Sequence, residues 1–160
     1  NNIGLVYKNK GEYDKALEYL NKSYEIRKII YTNNPNHPDI ANSLNNIGVV
    51  YKNKTFYDKA LEYYEKSYEI YKQVYKHNLN HTKIADVMNN IGLIFKIQND
   101  LDKALEYCQN SYEIRKKVYS NNLIHPNIAD SLNNIGYIHY SKGENSKALE
   151  YCEKSYEIHK

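Results

Sequence analysis

Four pairs of adjacent asparagines recur at a fixed step of 44 residues: Asn1-Asn2, Asn45-Asn46, Asn89-Asn90 and Asn133-Asn134. A side-chain amide both donates and accepts hydrogen bonds, so a ladder of amides can hold an extended peptide backbone without reading its sequence. Asn is also a poor helix former, and two together inside an apolar pattern need a reason. Lys8, Lys52 and Lys96 follow the first Asn of each pair by seven residues. Seven residues is about two helical turns, which returns to nearly the same face. Tyr140 breaks this column in the fourth copy, and Leu5, Val49, Leu93 and Tyr137 interrupt the polar face.

Other columns suggest other chemistry. His37, His81 and His125 share the 44-residue step and raise the question of a metal. Zinc–nitrogen bonds are about 2.0–2.1 Å, whereas packed helices sit about 8–10 Å apart. One His per repeat cannot close a shared site, so these residues are expected to cap or pack the next helix. Cys108 and Cys152 are too few for a disulfide framework and are expected to act as small buried hydrophobes. The tyrosine columns could stack bases, but core packing with the hydroxyl at the edge is the expected role. The sequence has no phosphate-binding Gly loop, nucleophile elbow or HExxH motif. The expectation is a chain that is not an enzyme and carries no cofactor or metal.

The bulk numbers agree with a folded domain: 160 residues, 41% hydrophobic and 26% charged. A net charge of +3 does not argue for nucleic acid, and no apolar run approaches the ~18 residues of a membrane span. No secretory signal is visible, so a cytoplasmic location is expected. The chain begins with Asn rather than Met, as a fragment would. Asn, Lys, Tyr and Ile supply 79 of the 160 residues. Abundance of Asn or Tyr therefore carries no weight, and only their fixed columns do.

The elements that place these columns follow from the repeat. Gly4, Gly48, Gly92 and Gly136 keep the same 44-residue step, as do Ala16, Ala60, Ala104 and Ala148. The repeats are 1–44, 45–88, 89–132 and a shorter 133–160, read as one array over 1–160. In the clearest copy Leu44, Ile47, Val50 and Tyr51 fall on one helical face, predicting a first helix over 39–53. A short turn precedes a second helix over 57–75. Thr55 lies in that turn, where Gly or Asn suits a left-handed residue better. Gly within a helix costs about 1 kcal/mol relative to Ala. Four such glycines at one register need a steric cause, and close approach of the paired helix at the Ala supplies it. One hairpin cannot bury its apolar face alone. Stacked hairpins can, and the predicted fold is an all-α solenoid of antiparallel helix pairs.

The Gly, Tyr, turn Gly, Tyr and Ala spacing of LVYKNKGEYDKALEYLNKSYEI resembles the tetratricopeptide repeat. The 44-residue form, with LNNIG and then HP.IA, is similar to the repeat region of kinesin light chains. The resemblance implies a right-handed superhelix with first helices on a concave groove. It places Asn45, Asn89 and Asn133 in that groove and the second Asn of each pair in helix packing. Asn89→Ala would then spare stability and Asn90→Ala would not. Lys8, Lys52 and Lys96 would make the groove positive, and Val49 and Leu93 would offer apolar contact. The implied function is a scaffold binding an extended, acidic peptide with an apolar anchor. The alternatives are a structural spacer, end-to-end self-association, or an adaptor part of a larger motor or enzyme. Nucleic acid and membrane are not expected partners.

Overall fold

The computed structural model describes residues 1–160, apart from the side chain of His159. Among the described residues there are eight helices and no strand: α1 (Asn2–Asn9), α2 (Tyr13–Ile30), α3 (Pro38–Asn53), α4 (Tyr57–Val74), α5 (Thr82–Ile97), α6 (Leu101–Val118), α7 (Pro126–Ser141) and α8 (Asn145–His159). Successive helices pair as hairpins, giving the all-α solenoid that the repeat predicts. The chain divides into two compact units, residues 1–76 and 77–160. The first holds α1–α4 and the second α5–α8.

Each hairpin turns through one residue in the left-handed region: Gly11 and Gly143 at φ 77°, Thr55 and Asn99 at φ 65°. Thr55 is the strained member, because its branched Cβ crowds the backbone there.

The helices of a hairpin meet where the sequence repeats Gly. A Cβ on Gly92 would stand 2.6 Å from Cys108 Sγ and 3.1 Å from the Ala104 carbonyl oxygen. On Gly48 it would stand 2.7 Å from Tyr64 Cε1 and 3.2 Å from the Ala60 carbonyl. Each Gly therefore lies over the backbone of the repeated Ala and the side chain four residues further on. In the first unit Ala16, Leu20, Ile47 and Val50 form a solvent-free core across α2 and α3. In the second, Ala104, Cys108, Ile135 and Ile138 do the same across α6 and α7. Tyr64, in the register of Leu20 and Cys108, is fully buried with no hydrogen-bond partner for its hydroxyl, unlike the edge position expected of Tyr.

Polar groups pin the hairpins in register. Ser67, Ser111 and Ser155 donate to the carbonyls of Ala41, Ala85 and Ala129, at 2.8, 2.7 and 2.8 Å. Near the turns, aromatic pairs stack across each hairpin: Tyr7–Tyr19, Tyr51–Tyr63, Phe95–Tyr107 and His139–Tyr151, with centroids 5.3–5.6 Å apart. This is the packing role expected for the tyrosines.

The His column caps helices. His37, His81 and His125 are the N-caps of α3, α5 and α7, each Nδ1 accepting from the backbone N–H two residues on, at 3.1 Å. His37 also stacks on Tyr31 and His125 on Tyr119, with centroids 3.5 and 3.6 Å apart. Pro38 and Pro126 occupy the first turns of α3 and α7, where the missing N–H loses no bond.

Arginine joins one hairpin to the next, a role the sequence reading missed. Arg27 donates to the Asp39 carbonyl and Ser43 Oγ, both at 2.8 Å. Arg115, 7% exposed, donates to the Asn127 carbonyl, to Ser131 Oγ and to Asp86 Oδ1. In the intervening repeat Tyr71 takes the position and donates to Asn42 Oδ1 at 2.7 Å.

Three measurements check these assignments. Gly92→Ala gains helix propensity of about 1 kcal/mol but overpacks the contact with Cys108. A urea melt is expected to show the propensity gain cancelled or exceeded, a net destabilisation of up to about 2 kcal/mol, and a midpoint raised by the full propensity gain would contradict the close approach. Arg115→Met leaves Asp86, Ser131 and a backbone carbonyl without their donor. The expected loss is about 3 kcal/mol, the low end for breaking a buried pair, because Asp86 is 39% exposed. The third measurement is a pH series. Desolvation, then Lys83, pushes His81 below its ordinary value, opposed by Asp86. The fold thus favours neutral His81, whose Nδ1 can accept the capping bond. Its contribution is complete above the ordinary value of about 6.5 and is lost as pH falls towards the lower folded value. The Tm of the wild type is expected to fall on acidification through that window. His81→Asn, a capping residue that does not titrate, is expected to flatten part of the fall.

Candidate functional site

On each first helix the repeated Asn, an apolar residue and a third residue fall at offsets of four and seven. In the first unit the stripe is Asn1, Leu5 and Lys8 at α1 and Asn45, Val49 and Lys52 on α3, all half-buried. In the second it is Asn89, Leu93 and Lys96 on α5, also half-buried, and Asn133, Tyr137 and Tyr140 on α7. The opposite faces of these helices are committed to the core. Ile47, Val50, Ile91, Ile94, Ile135 and Ile138 are all fully buried.

The two Asn of a pair are not divided as expected. Asn134 Nδ2 donates to Asn89 Oδ1 at 2.9 Å, and Asn46 Nδ2 lies 3.5 Å from Asn1 Oδ1. The second Asn of one repeat thus binds the first Asn of the repeat before it. The packing Asn and the stripe Asn form one ladder within each unit, and the stripe Asn is itself structural. With its Oδ1 taken, Asn89 presents its NH2 as a donor. A relation between neighbouring repeats cannot be read from the spacing within one copy, but the fixed 44-residue step held the signal.

The lysines differ from one another. Lys52 has no ion pair among the described residues, and burial, then the nearby Lys8, pushes its pKa down. A negative group brought to this place would offset both effects by favouring the charged ammonium. Lys96 instead lies over the ring of Tyr137, with Nζ 5.1 Å from the centroid. Tyr137 and Tyr140 are 56% and 68% exposed. They make the second unit's stripe aromatic where the first unit's is cationic. Tyr140 breaks the Lys column, and in doing so it offers the larger apolar contact. Among the described residues no group of His, Cys, Asp or Glu is arranged to hold a metal ion, and no helix is long and apolar enough to cross a membrane.

Comparison with known proteins agrees with the repeat. The family model described as "Tetratricopeptide repeat" matches residues 1–73, 39–117 and 83–160. No curated protein matches the sequence. Among solved structures, BtubC (BKLC) from P. vanneervenii is similar with a TM-score of 0.82 and 22% identity, over 98% of this chain and 60% of that one. The Rap conjugation gene regulator of the plasmid pLS20, solved in complex with the Phr* peptide, is similar with a TM-score of 0.76 and 21% identity. That match covers 96% of this chain and 40% of the regulator. The chain thus spans less than two thirds of either protein, and likeness at this identity speaks to the fold alone. With the family model matched from end to end, and with one Gly-over-Ala helix hairpin repeated four times, the chain belongs to the tetratricopeptide repeat family.

Proposed function

We propose that this chain is a non-catalytic protein-interaction scaffold whose first-helix stripes bind an extended peptide segment of a partner. The observation that carries the reading is the stripe. Its asparagines and lysines are half-buried, and Lys52 is partly desolvated with no ion pair among the described residues. An acidic ligand supplies a counter-charge, and the exposed Tyr137 and Tyr140 supply contact for an apolar or aromatic anchor. That a similar fold, the plasmid regulator, was solved with a peptide supports peptide uptake by this architecture.

The test is a melt and a binding titration on each variant, with an acidic peptide carrying one aromatic residue. Asn89→Ala is expected to lower stability by about 1 kcal/mol, since Asn134 loses its acceptor, and to weaken binding as a donor is lost. Lys52→Glu removes a repulsion with Lys8, so the fold is expected to stay intact while acidic peptides bind less well. That loss is expected to shrink as salt rises. Binding that neither substitution alters would remove the proposal.

A second reading has its own observation. Ile3 and Val6 of α1 are 55% and 54% exposed, although they share the register of the buried Ile47 and Val50. On α7 and α8 a cavity of about 350 Å³ is lined by Gly136, Tyr137, Ala148, Leu149 and Cys152. These two surfaces are the separate halves of the contact that α2 and α3 make inside the first unit. End-to-end association would join them. Sedimentation that grows with concentration, and is reversed by Val6→Lys, is the result expected on this reading.

A further inference from the structure

A cavity of about 580 Å³ opens in the second unit between α6, the loop after it, α7 and α8. None of the stripe residues lines it. Tyr112, Leu132 and Ile158 form an apolar floor, and Glu153 and Glu157 stand on the rim. The volume lies in the range of ligand pockets, about 300–1,000 Å³.

The cavity belongs to the architecture. The first unit has a counterpart of about 420 Å³, lined by Tyr24, Leu44, Glu65, Lys66, Glu69 and Ile70. Each of these residues precedes a lining residue of the larger cavity by 88 positions, two repeats. Two differences make the second-unit cavity the better binding site. Leu123 and Ile124 stand where the first unit has Pro35 and Asn36, and they are 52% and 71% exposed at the mouth. Glu69 is paired with Lys72 at 3.1 Å, whereas among the described residues neither Glu153 nor Glu157 has an ion pair.

The charges around the larger cavity define its occupant. Glu150, Glu153 and Glu157 fall at offsets of three and seven and form one ridge along α8. The two cations at the rim are already engaged. Lys154 is held by Glu150 at 2.5 Å, and Lys116 lies over the Tyr112 ring with Nζ 5.9 Å from the centroid. Two carboxylates remain beside an apolar floor and an apolar mouth. Several bulky aliphatic side chains together would occupy a space of this size, and neighbouring Lys or Arg residues would meet the carboxylates.

We propose that this cavity is a second protein-interaction site, which takes a basic, aliphatic segment of a partner. Its ligand is opposite in charge to the one the stripe favours, so the two sites can be tested apart.

The experiment titrates the 160-residue chain with two fluorescein-labelled peptides followed by anisotropy. One is Lys-Leu-Leu-Lys-Ile-Arg and the other has Gln in place of each basic residue. The basic peptide is expected to bind, and the Gln peptide to bind more weakly. Glu153→Gln with Glu157→Gln is expected to weaken the basic peptide by about three- to tenfold, the effect of two exposed charge contacts, with the loss fading at high salt. Leu123→Asn with Ile124→Ser, a loop change outside the helices, is expected to weaken both peptides. Lys52→Glu is expected to leave the basic peptide unaffected, which separates this site from the stripe. Melts on each variant establish that the fold is intact. The proposal is overturned by absence of binding to the wild type, by equal binding of the two peptides, or by basic-peptide binding that survives both double substitutions.

Discussion

The close approach of paired helices at the repeated glycine is the constraint on which the rest of the structure depends. In each of the four hairpins a Cβ at that position would stand 2.6–2.8 Å from a side-chain atom of the partner helix. Such contact fixes where the two helices meet along their lengths, because the glycine has one place to sit, over the alanine carbonyl. With that register set, the serine hydroxyls reach their carbonyls and the aromatic rings near the turns stack. The direction of the first-helix stripe is set as well, since residues three and four apart share a face and the face opposite the buried core positions is left for it.

Within each unit the hairpins are joined by an apolar core and a few directional bonds. Arg27 and Arg115 reach from the end of one second helix into the first turns of the next first helix. The asparagine ladder ties the first helices to each other. On the proposed function its members also contact the ligand, so the groups that hold neighbouring repeats together would be those offered for binding. Occupying the remaining amide donors of such a ladder would brace the stacking itself, and a ligand bound there would stabilise the pair of repeats it spans.

The fold was legible in the sequence because its causes repeat. Gly48, Ala60 and the apolar positions of α3 and α4 recur with one step, and period and packing are two descriptions of the same contact. The helix bounds followed to within a residue, as did the capping role of His37, His81 and His125. Two kinds of feature leave no such periodic mark. Arg115 alternates with Tyr71 along its column, so no single residue type marked the joint, and its three acceptors are scattered from Asp86 to Ser131. The bond between Asn134 and Asn89 spans 45 residues, and a pair read within one copy suggested two separate duties. Tyr64 was hidden by a general rule: tyrosine hydroxyls are usually satisfied, and this one is enclosed because a large ring stands where other copies have Leu20 or Cys108.

The place of Cys108 has a consequence for the chain's chemistry with oxidants and electrophiles. The thiol is fully buried, and burial pushes its pKa up to about 12. The thiolate fraction at neutral pH is then on the order of one in 10⁵. While α5 and α6 stay closed, the sulfur is chemically silent. Once they part, it becomes an ordinary cysteine, reactive through a far larger thiolate fraction. Cys152, in the same register of the last hairpin, is free and half-exposed. One molecule thus carries a guarded thiol and an accessible reference, and the ratio of their alkylation rates is a clock for the opening of a single repeat.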